Sequence, residues 1–325
     1  DKGYQFISET DTEVLAHLLD YYYKGNPLEA ITKVLHRVEG SYALGIMFAD
    51  QPDKIFAARK DSPLIVGKSD NGSFIASDVP AILKYTRTVY YVDNQEVVEL
   101  QQGSLRFFSV DEEEIEKQPV TIDWDANAAE KAGYEHFMLK EIFEQPDCIH
   151  DCMRGRINVE STNVVLSAVI DNKDRLLAAK RFIIVACGTS WHAALIGKHL
   201  IESLCRIPVE VEYASEFRYR DPVIDSKDVV IAISQSGETA DTLAAVELAR
   251  SRGAFIYGIC NAIGSSIPRA THTGSYIHVG PEIGVASTKA FTGQVTVLTM
   301  LALTLAKEKN TIDEGQFLAI VQELN

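Results

Sequence analysis

The sequence has few cysteines, few basic residues relative to acidic ones, and no long apolar run. Five cysteines in 325 residues are too few, and odd in number, for a disulfide scaffold, so free thiols in a reducing compartment fit better. Lysine and arginine total 31 against 46 acidic residues, a net charge of −15, which argues against a general binder of nucleic acid or anionic membranes. No apolar run approaches the ~20 residues of a membrane span, and no signal segment opens the chain. We therefore expect a cytoplasmic globular protein that binds neither nucleic acid nor membrane.

Two of the cysteines, Cys148 and Cys152, flank His150 at a spacing that places both thiols on one helix face. No second pair of metal ligands follows nearby. We interpret them as helix-borne thiols and expect no metal and no cofactor.

The first 110 residues change from helical to strand periodicity. Residues 7–24 predict a helix capped by Ser8 or Thr10, and Pro27 begins a second helix. Short apolar runs divided by turn residues then predict an antiparallel meander, which makes this an α+β region. The predicted strands are 42–48, 54–58, 64–66, 73–76, 89–92, 97–100 and 104–108. Asn71 begins a glycosylation pattern, but between two strands it is better explained as a hairpin turn.

A polar, acidic stretch separates this region from the rest of the chain. Residues 109–131 include Asp111-Glu-Glu-Glu114 and predict an exposed boundary. The pattern that follows predicts a helix over 127–144, ending before Pro146.

From about residue 160, continuous apolar runs alternate with helical segments. This alternation predicts an α/β fold with a doubly wound parallel sheet. The predicted strands are 181–186, 209–213, 228–234, 254–260 and 276–279, and the predicted helices are 190–205, 239–251 and 288–306.

Ligands of such sheets bind at the carboxyl ends of the strands, where two turns stand out. One is Cys187-Gly-Thr-Ser190, and the other is Ser234-Gln-Ser-Gly-Glu-Thr239. The second turn places three hydroxyls and the flexible Gly237 at a helix N-terminus, which favours an anion. It has neither the spacing nor the lysine of a nucleoside triphosphate loop. It therefore predicts a cradle for a monophosphate.

Each of these segments also has an alternative interpretation. The hydroxyls of 234–239 could merely cap the helix, and local pattern does not separate this from phosphate binding. A dinucleotide site is disfavoured because Ser190 stands where the second glycine of the fingerprint belongs. A third segment, 280–289, has two glycines that allow a ligand to approach the backbone, but Ser287 could equally be a helix cap.

Several motifs together identify a family. They are Cys187-Gly-Thr-Ser190, 214–219, 234–243 and 282–291, with 8–14 and 136–146 upstream. The sequence closely resembles the glutamine–fructose-6-phosphate aminotransferases (isomerizing). The resemblance implies an N-terminal-nucleophile glutaminase that releases ammonia, and an isomerase half of two sugar isomerase (SIS) domains that makes glucosamine 6-phosphate from fructose 6-phosphate. It implies part of the glutaminase at 1–124, a linker at 125–158 and the first SIS domain at 159–325.

The resemblance also implies roles for individual residues. Ser234, Gln235, Ser236 and Thr239 correspond to the sugar-phosphate cradle. The residues beside the sugar are Thr189, Ser190, Val285 and Ser287. Asp11 matches the residue that holds the amino group of glutamine. The implied ligands are fructose 6-phosphate or glucosamine 6-phosphate, with glutamine in the full-length enzyme, and the implied assembly is a homodimer through the isomerase half.

The departures from the family pattern matter as much as the matches. The family's nucleophile is an N-terminal cysteine, whereas this sequence begins at Asp1 and its first cysteine is Cys148. The second SIS domain and its acid–base and Schiff-base residues are not in this sequence. We therefore expect no complete catalytic set, and we predict that the chain alone is inactive. The alternative is a non-catalytic SIS module that senses a sugar phosphate.

Overall fold

The structure is a computed structural model that describes residues 3–70, 72–122, 130–158 and 163–324. Asn71, and residues 123–129 within the predicted boundary, lie outside the described residues. The chain divides into two compact units, Asp1–Asp123 and Trp124–Asn325.

The first unit contains two helices and two antiparallel sheets. The helices are α1 (Glu13–Tyr22) and α2 (Pro27–Leu35). The strands are β1 (Tyr42–Phe48), β2 (Gln51–Lys60), β3 (Ile65–Ser69), β4 (Gly72–Ala76), β5 (Thr88–Tyr91), β6 (Glu96–Gln101), β7 (Ser104–Ser109), β8 (Glu114–Ile115) and β9 (Val120–Thr121). One sheet has the order β1-β2-β6-β7-β8 and the other β4-β3-β5-β9. The predicted strands are present, but the single meander was wrong, because β2 pairs with β6 and the intervening strands form a second sheet.

Strand alternation explains how these layers pack. Phe56 and Ala58 of β2 face the helices and pack with Ile31 of α2. Ala57, on the opposite face, packs with Val66 of the second sheet. Successive side chains of a strand point to opposite faces, so the first sheet is covered by helices on one face and by the second sheet on the other.

Helix α1 begins later than the sequence predicted. Its first residue is Glu13, and neither Ser8 nor Thr10 is the capping residue, which is Thr12. Instead, the Glu13 carboxylate accepts hydrogen bonds from the N–H groups of Ile7 at 2.8 Å and Ser8 at 2.7 Å, and from the Ser8 hydroxyl. A charged acceptor binds these donors strongly, so the preceding residues fold onto the helix start without joining it.

The second unit alternates helices and strands, as predicted. The helices are α3 (Phe137–Phe143), α4 (Gln145–Met153), α5 (Ser167–Ile170), α6 (Lys173–Leu177), α7 (Gly188–Cys205), α8 (Ala214–Tyr219), α9 (Ala240–Ser251), α10 (Ser266–Ala270), α11 (Lys289–Lys309) and α12 (Glu314–Leu324). The strands are β10 (Ile157–Asn158), β11 (Asn163–Val164), β12 (Arg181–Ala186), β13 (Val209–Tyr213), β14 (Asp228–Ser234), β15 (Phe255–Cys260) and β16 (Thr273–Tyr276). The main sheet is parallel in the order β13-β12-β14-β15-β16. The strand order reverses between β12 and β14, which is the topological switch point.

Both faces of this sheet are buried, which confirms the doubly wound α/β prediction. Phe182 and Ile184 of β12 lie in a core with Leu298 of α11. Ile183 and Val185 lie on the other face, in a core that includes residues of α8, α9 and α10. Strands that are buried on both faces are continuously apolar.

Helix α11 is long and apolar enough to span a membrane by length and composition, but 78% of its most apolar window is buried inside the protein. Such burial is typical of the core helix of a globular domain. Threonines and a glutamine interrupt its apolar residues, so the sequence shows no continuous apolar run there.

Two element boundaries in this unit were predicted wrongly. The helix expected over 127–144 begins at Phe137, because Ala132 and Gly133 adopt left-handed backbone conformations that end regular structure. The strand expected over 276–279 is Thr273–Tyr276, and the left-handed His278 interrupts the extended chain just beyond it. Ile277 and Val279 are nevertheless buried.

The Cys148 and Cys152 side chains lie on α4 and pack into the core, as helix-borne thiols. Cys152 donates to the carbonyl of Ile277. Within the described part of the chain, no group of three or more histidine, cysteine or acidic side chains could hold a metal ion.

Candidate functional site

The two turns singled out in the sequence follow β12 and β14, the strands on either side of the switch point. Val185 of β12 is paired with Ala232 of β14, so the two strands end side by side. The Thr242 hydroxyl of α9 donates to the Cys187 thiol at 3.9 Å, which joins the starts of α7 and α9. In this fold class, ligands bind in the crevice at such a position.

The turn 234–239 is a compact cluster of hydroxyls. Ser234 is buried, and its Oγ lies 3.0 Å from Thr239 Oγ1 and accepts a 3.0 Å bond from the Gly237 N–H. Ser236 Oγ accepts from the Glu238 N–H at 3.2 Å. Thr239 is the capping residue of α9, yet its hydroxyl makes no capping bond to the described helix and contacts Ser234 instead. The first N–H groups of α9 lack intrahelical partners by their position.

Gly237 allows this turn to pack closely on α10. Its φ is +66°, and a Cβ there would lie 1.9 Å from Ser265 Oγ. The Glu238 carboxylate accepts from the Ser266 N–H at 2.7 Å and the Ser266 hydroxyl at 2.8 Å. The residues at the start of α10 therefore fix the position of this turn.

The other turn presents Thr189 and Ser190 in the first turn of α7. Thr189 is exposed, whereas Ser190 is buried. Ser190 Oγ bonds to the side-chain nitrogen of Gln294, on α11, at 3.0 Å. This bond fixes the position of the Ser190 hydroxyl between α7 and α11.

Ser287 does not cap α11. The sequence had left a capping role for Ser287 open. The capping residue is Thr288, and the Glu282 carboxylate accepts from the N–H groups of Thr288 at 2.9 Å and Ala290 at 3.0 Å. Ser287 Oγ is buried and bonds to none of the described groups. The Val285 side chain is fully exposed.

Asn261 connects these segments and was missed by the sequence analysis. It follows β15 directly, and its backbone N–H donates to the Gln235 carbonyl at 3.2 Å. Its side chain donates to the Gly280 carbonyl at 2.6 Å and accepts from the Val279 N–H at 3.2 Å. A polar residue at the carboxyl end of a buried strand was the available signal, as it was for Ser234.

Asp11, the candidate glutamine contact, lies in the first unit. It is exposed and immediately precedes the capping residue of α1, and its carboxylate accepts from the Thr12 hydroxyl at 3.5 Å. A groove of about 590 Å³ nearby is lined by Thr12, by apolar residues of α1 and β1, and by the side chains of Asp20 and Asp50.

The electrostatics of the turns suit one small anion on an acidic protein. Helices α7, α9 and α11 begin at the same edge of the sheet, where their N-termini carry partial positive charge. Hydroxyls and N–H groups supply the donors, so no cluster of basic side chains is needed. This local arrangement is compatible with the net charge of −15.

Known proteins match both units of the chain. Residues 175–304 match the SIS domain family, and residues 1–84 match the glutamine amidotransferase domain family. The glutamine--fructose-6-phosphate aminotransferase (isomerizing) of Bacteroides thetaiotaomicron is 68% identical over 328 residues, covering 100% of this chain and 53% of that protein. The Clostridium acetobutylicum protein of the same name is 53% identical and covers 96% of this chain and 51% of that protein.

Over nearly all of its length, the chain is similar to glutamine–fructose-6-phosphate aminotransferases (isomerizing). It spans about half the length of the curated relatives it matches. A solved structure, the C-terminal domain of glucosamine-fructose-6-phosphate aminotransferase from Francisella tularensis, covers 60% of this chain with a TM-score of 0.56 and 39% identity. The expected combination of a glutamine amidotransferase region and a SIS domain is thereby confirmed.

The candidate residues fall in two different domain matches. The SIS match includes every predicted sugar-site residue, from Thr189 to Ser287, and also Asn261. The amidotransferase match includes Asp11. The first cysteine of this chain, Cys148, lies outside both matches.

Proposed function

We propose that this chain supplies the sugar-phosphate-binding SIS domain of a glutamine–fructose-6-phosphate aminotransferase. In this proposal the whole enzyme takes the amide nitrogen of glutamine and converts fructose 6-phosphate to glucosamine 6-phosphate. The observation that carries the proposal is the preorganised hydroxyl turn 234–239 beside the switch point. The similarity of the chain to these aminotransferases supports it.

In this proposal the phosphate binds against the start of α9. The hydroxyls of Ser234, Ser236 and Thr239 and the adjacent N–H groups donate to its oxygens, and Gln235 lies in the same turn. Hydrogen bonds to a charged acceptor are roughly twice as strong as neutral ones. Because the turn is fixed by internal bonds, little ordering is required on binding.

The sugar extends from the phosphate toward the neighbouring turns. Thr189 and Ser190 lie on one side, and Val285 and Ser287 on the other. The buried Ser287 hydroxyl, unpaired among the described groups, supports this assignment, since a buried polar atom is costly unless it gains a partner.

The remaining assignments complete the proposal. Asp11 holds the amino group of glutamine, and glutaminase, linker and SIS domain occupy 1–124, 125–158 and 159–325. The full enzyme assembles as a homodimer through its isomerase half and works in the cytoplasm. In this proposal these 325 residues bind the sugar phosphate without converting it.

Calorimetric titration of the chain with fructose 6-phosphate tests the proposal. Ser236→Ala removes one hydroxyl from the cradle and should weaken binding by about 1–3 kcal/mol, roughly 5- to 150-fold. Ser251→Ala is the matched control, because the Ser251 hydroxyl bonds to Leu248 at the opposite end of the same helix. Equal affinity of Ser236→Ala and the unaltered chain would contradict the cradle. Formation of glucosamine 6-phosphate by this chain alone would contradict its predicted inactivity.

A further inference from the structure

We propose that Glu141, on helix α3, is a positioning residue of the sugar site, which fixes the loop that carries Val285 and Ser287. This inference rests on the proposed function, because it assigns those two residues to the sugar. It concerns a carboxylate that lies more than 130 residues away in sequence from the loop it holds.

The Glu141 carboxylate is bonded directly to the backbone of the loop. One oxygen accepts from the Ile283 N–H at 2.6 Å and the Gly284 N–H at 3.1 Å, and the other lies 3.2 Å from the Gly284 nitrogen. Glu141 is only 2% exposed. Burying a carboxylate is costly unless donors surround it, so the loop conformation that supplies these two N–H groups is strongly preferred.

The Glu141 carboxylate leaves no room for a side chain at position 284. A Cβ at position 284 would lie 2.5 Å from Glu141 Oε2. Any side chain there would therefore displace the carboxylate from the loop. Glycine is the residue that allows the two groups to meet.

Helices α3 and α4, of which α3 carries Glu141, are bonded to the first turn of α11. Glu144 lies between two buried lysines, with its oxygens 2.8 Å from Lys289 and 3.2 Å from Lys140. The Thr292 hydroxyl of α11 donates to the side chain of Gln145. These contacts fix α3 and α4 against α11. Glu141 in turn fixes the loop backbone relative to α3.

The loop is thus fixed at three points. Asn261 bonds Gly280, Glu141 bonds residues 283–284, and Glu282 bonds residues 288–290. Between the last two anchors runs the short arc 285–287, which contains both proposed sugar contacts. Glu141 sets where this arc begins, so its loss should move the sugar contacts and leave the turn 234–239 in place.

Two ligands separate a positioning role from general destabilisation. Inorganic phosphate occupies only the cradle, whereas fructose 6-phosphate also reaches the arc. In Glu141→Leu, both oxygens are removed, so the Ile283 and Gly284 N–H groups lose their acceptor. We expect the affinity for fructose 6-phosphate to fall about tenfold while the affinity for inorganic phosphate stays within about twofold. Glu135→Leu is the control, because Glu135 is an exposed carboxylate that precedes the same helix.

Gly284→Ala provides a second route to the same result. It displaces the carboxylate without removing it, and it should reproduce the selective loss of fructose 6-phosphate affinity. The double variant should lose little more than either single one. Equal loss of both ligands, or unchanged affinity for fructose 6-phosphate, would overturn the positioning role.

Amide hydrogen exchange tests the anchoring of the loop without any ligand, and so independently of the proposed function. If the unaltered chain bound neither ligand, the proposed function would fail. Faster exchange of the Ile283 and Gly284 amides in Glu141→Leu would still show that the carboxylate fixes the loop. Unchanged exchange at both amides would refute the anchoring itself.

Discussion

The side-chain nitrogen of Asn261 donates to the carbonyl oxygen of Gly280 at 2.6 Å. Through its backbone N–H, Asn261 also bonds Gln235 in the hydroxyl turn. One buried residue therefore connects the proposed phosphate cradle with the loop of the proposed sugar contacts. The two segments are separated by about 40 residues in sequence, and Asn261 fixes their relative position.

Replacing Asn261 by leucine should destabilise the second unit. The change leaves the Gly280 carbonyl and the Val279 N–H buried without their partner, which costs about 1–3 kcal/mol for each group. Urea unfolding followed by tryptophan fluorescence measures this, since both tryptophans belong to that unit. Asn172→Ala, which removes a single bond to Ala168, is the control and should cost less than about 1.5 kcal/mol. Equal losses would contradict the bridging role.

Gly237→Ala should strongly weaken the binding of fructose 6-phosphate. The added Cβ would meet Ser265 Oγ at 1.9 Å, so the turn has to move. Gly253→Ala is a matched control, because Gly253 is also left-handed, at φ +85°, but a Cβ there meets only Ser226 at 3.8 Å. The control should lose about 1–2 kcal/mol of stability from backbone strain and keep its affinity. Similar binding by the two variants would argue against a sterically fixed cradle.

Thiol labelling of the folded chain should modify Cys187 selectively. Burial raises the pKa of Cys148 to about 11 and the pKa values of Cys152, Cys205 and Cys260 to about 12. The thiolate is the reactive form, so these four should react only after unfolding. Cys187 is partly exposed. Titration with a chromogenic disulfide should give one fast thiol per chain, and Cys187→Ser should remove it. Two or more fast thiols in the folded chain would contradict the burial of the other four cysteines.

The Glu13 carboxyl should titrate at unusually low pH. Bonds from the Ser8 hydroxyl and the N–H groups of Ile7 and Ser8 lower its pKa from 4.5 to about 2. Because the folded pKa is lowered, the stabilisation is present above pH 4.5 and is lost as the pH falls towards 2. Carboxyl-carbon NMR of the chain measures this pKa, and Ser8→Ala should raise it. A Glu13 carboxyl that titrates near 4.5 in the unaltered chain would refute the arrangement at the start of α1.

Local patterns were sufficient to predict some of these features and not others. The turn 234–239 was predictable because a buried strand, a glycine turn and a helix follow one another in the chain. Glu141 was not, because its hydrogen-bond partners lie 142 and 143 residues away. The start of α1 was misplaced because a hydroxyl cap at Ser8 and a carboxylate anchor at Glu13 give similar sequence patterns. The second antiparallel sheet was missed because strand pairing such as β2 with β6 is not a local property.

The parallel sheet has a consequence for synthesis of the chain on the ribosome. Phe182 and Ile184 of β12 share a core with α11, which begins about 100 residues later, and with α5, α6 and α7, which are synthesised before α11. At about 5–20 residues per second, this leaves on the order of 5 to 20 seconds in which the core lacks α11 and is covered only by the earlier helices. The emergence of α11 ends that interval and completes the cover of this face of the sheet.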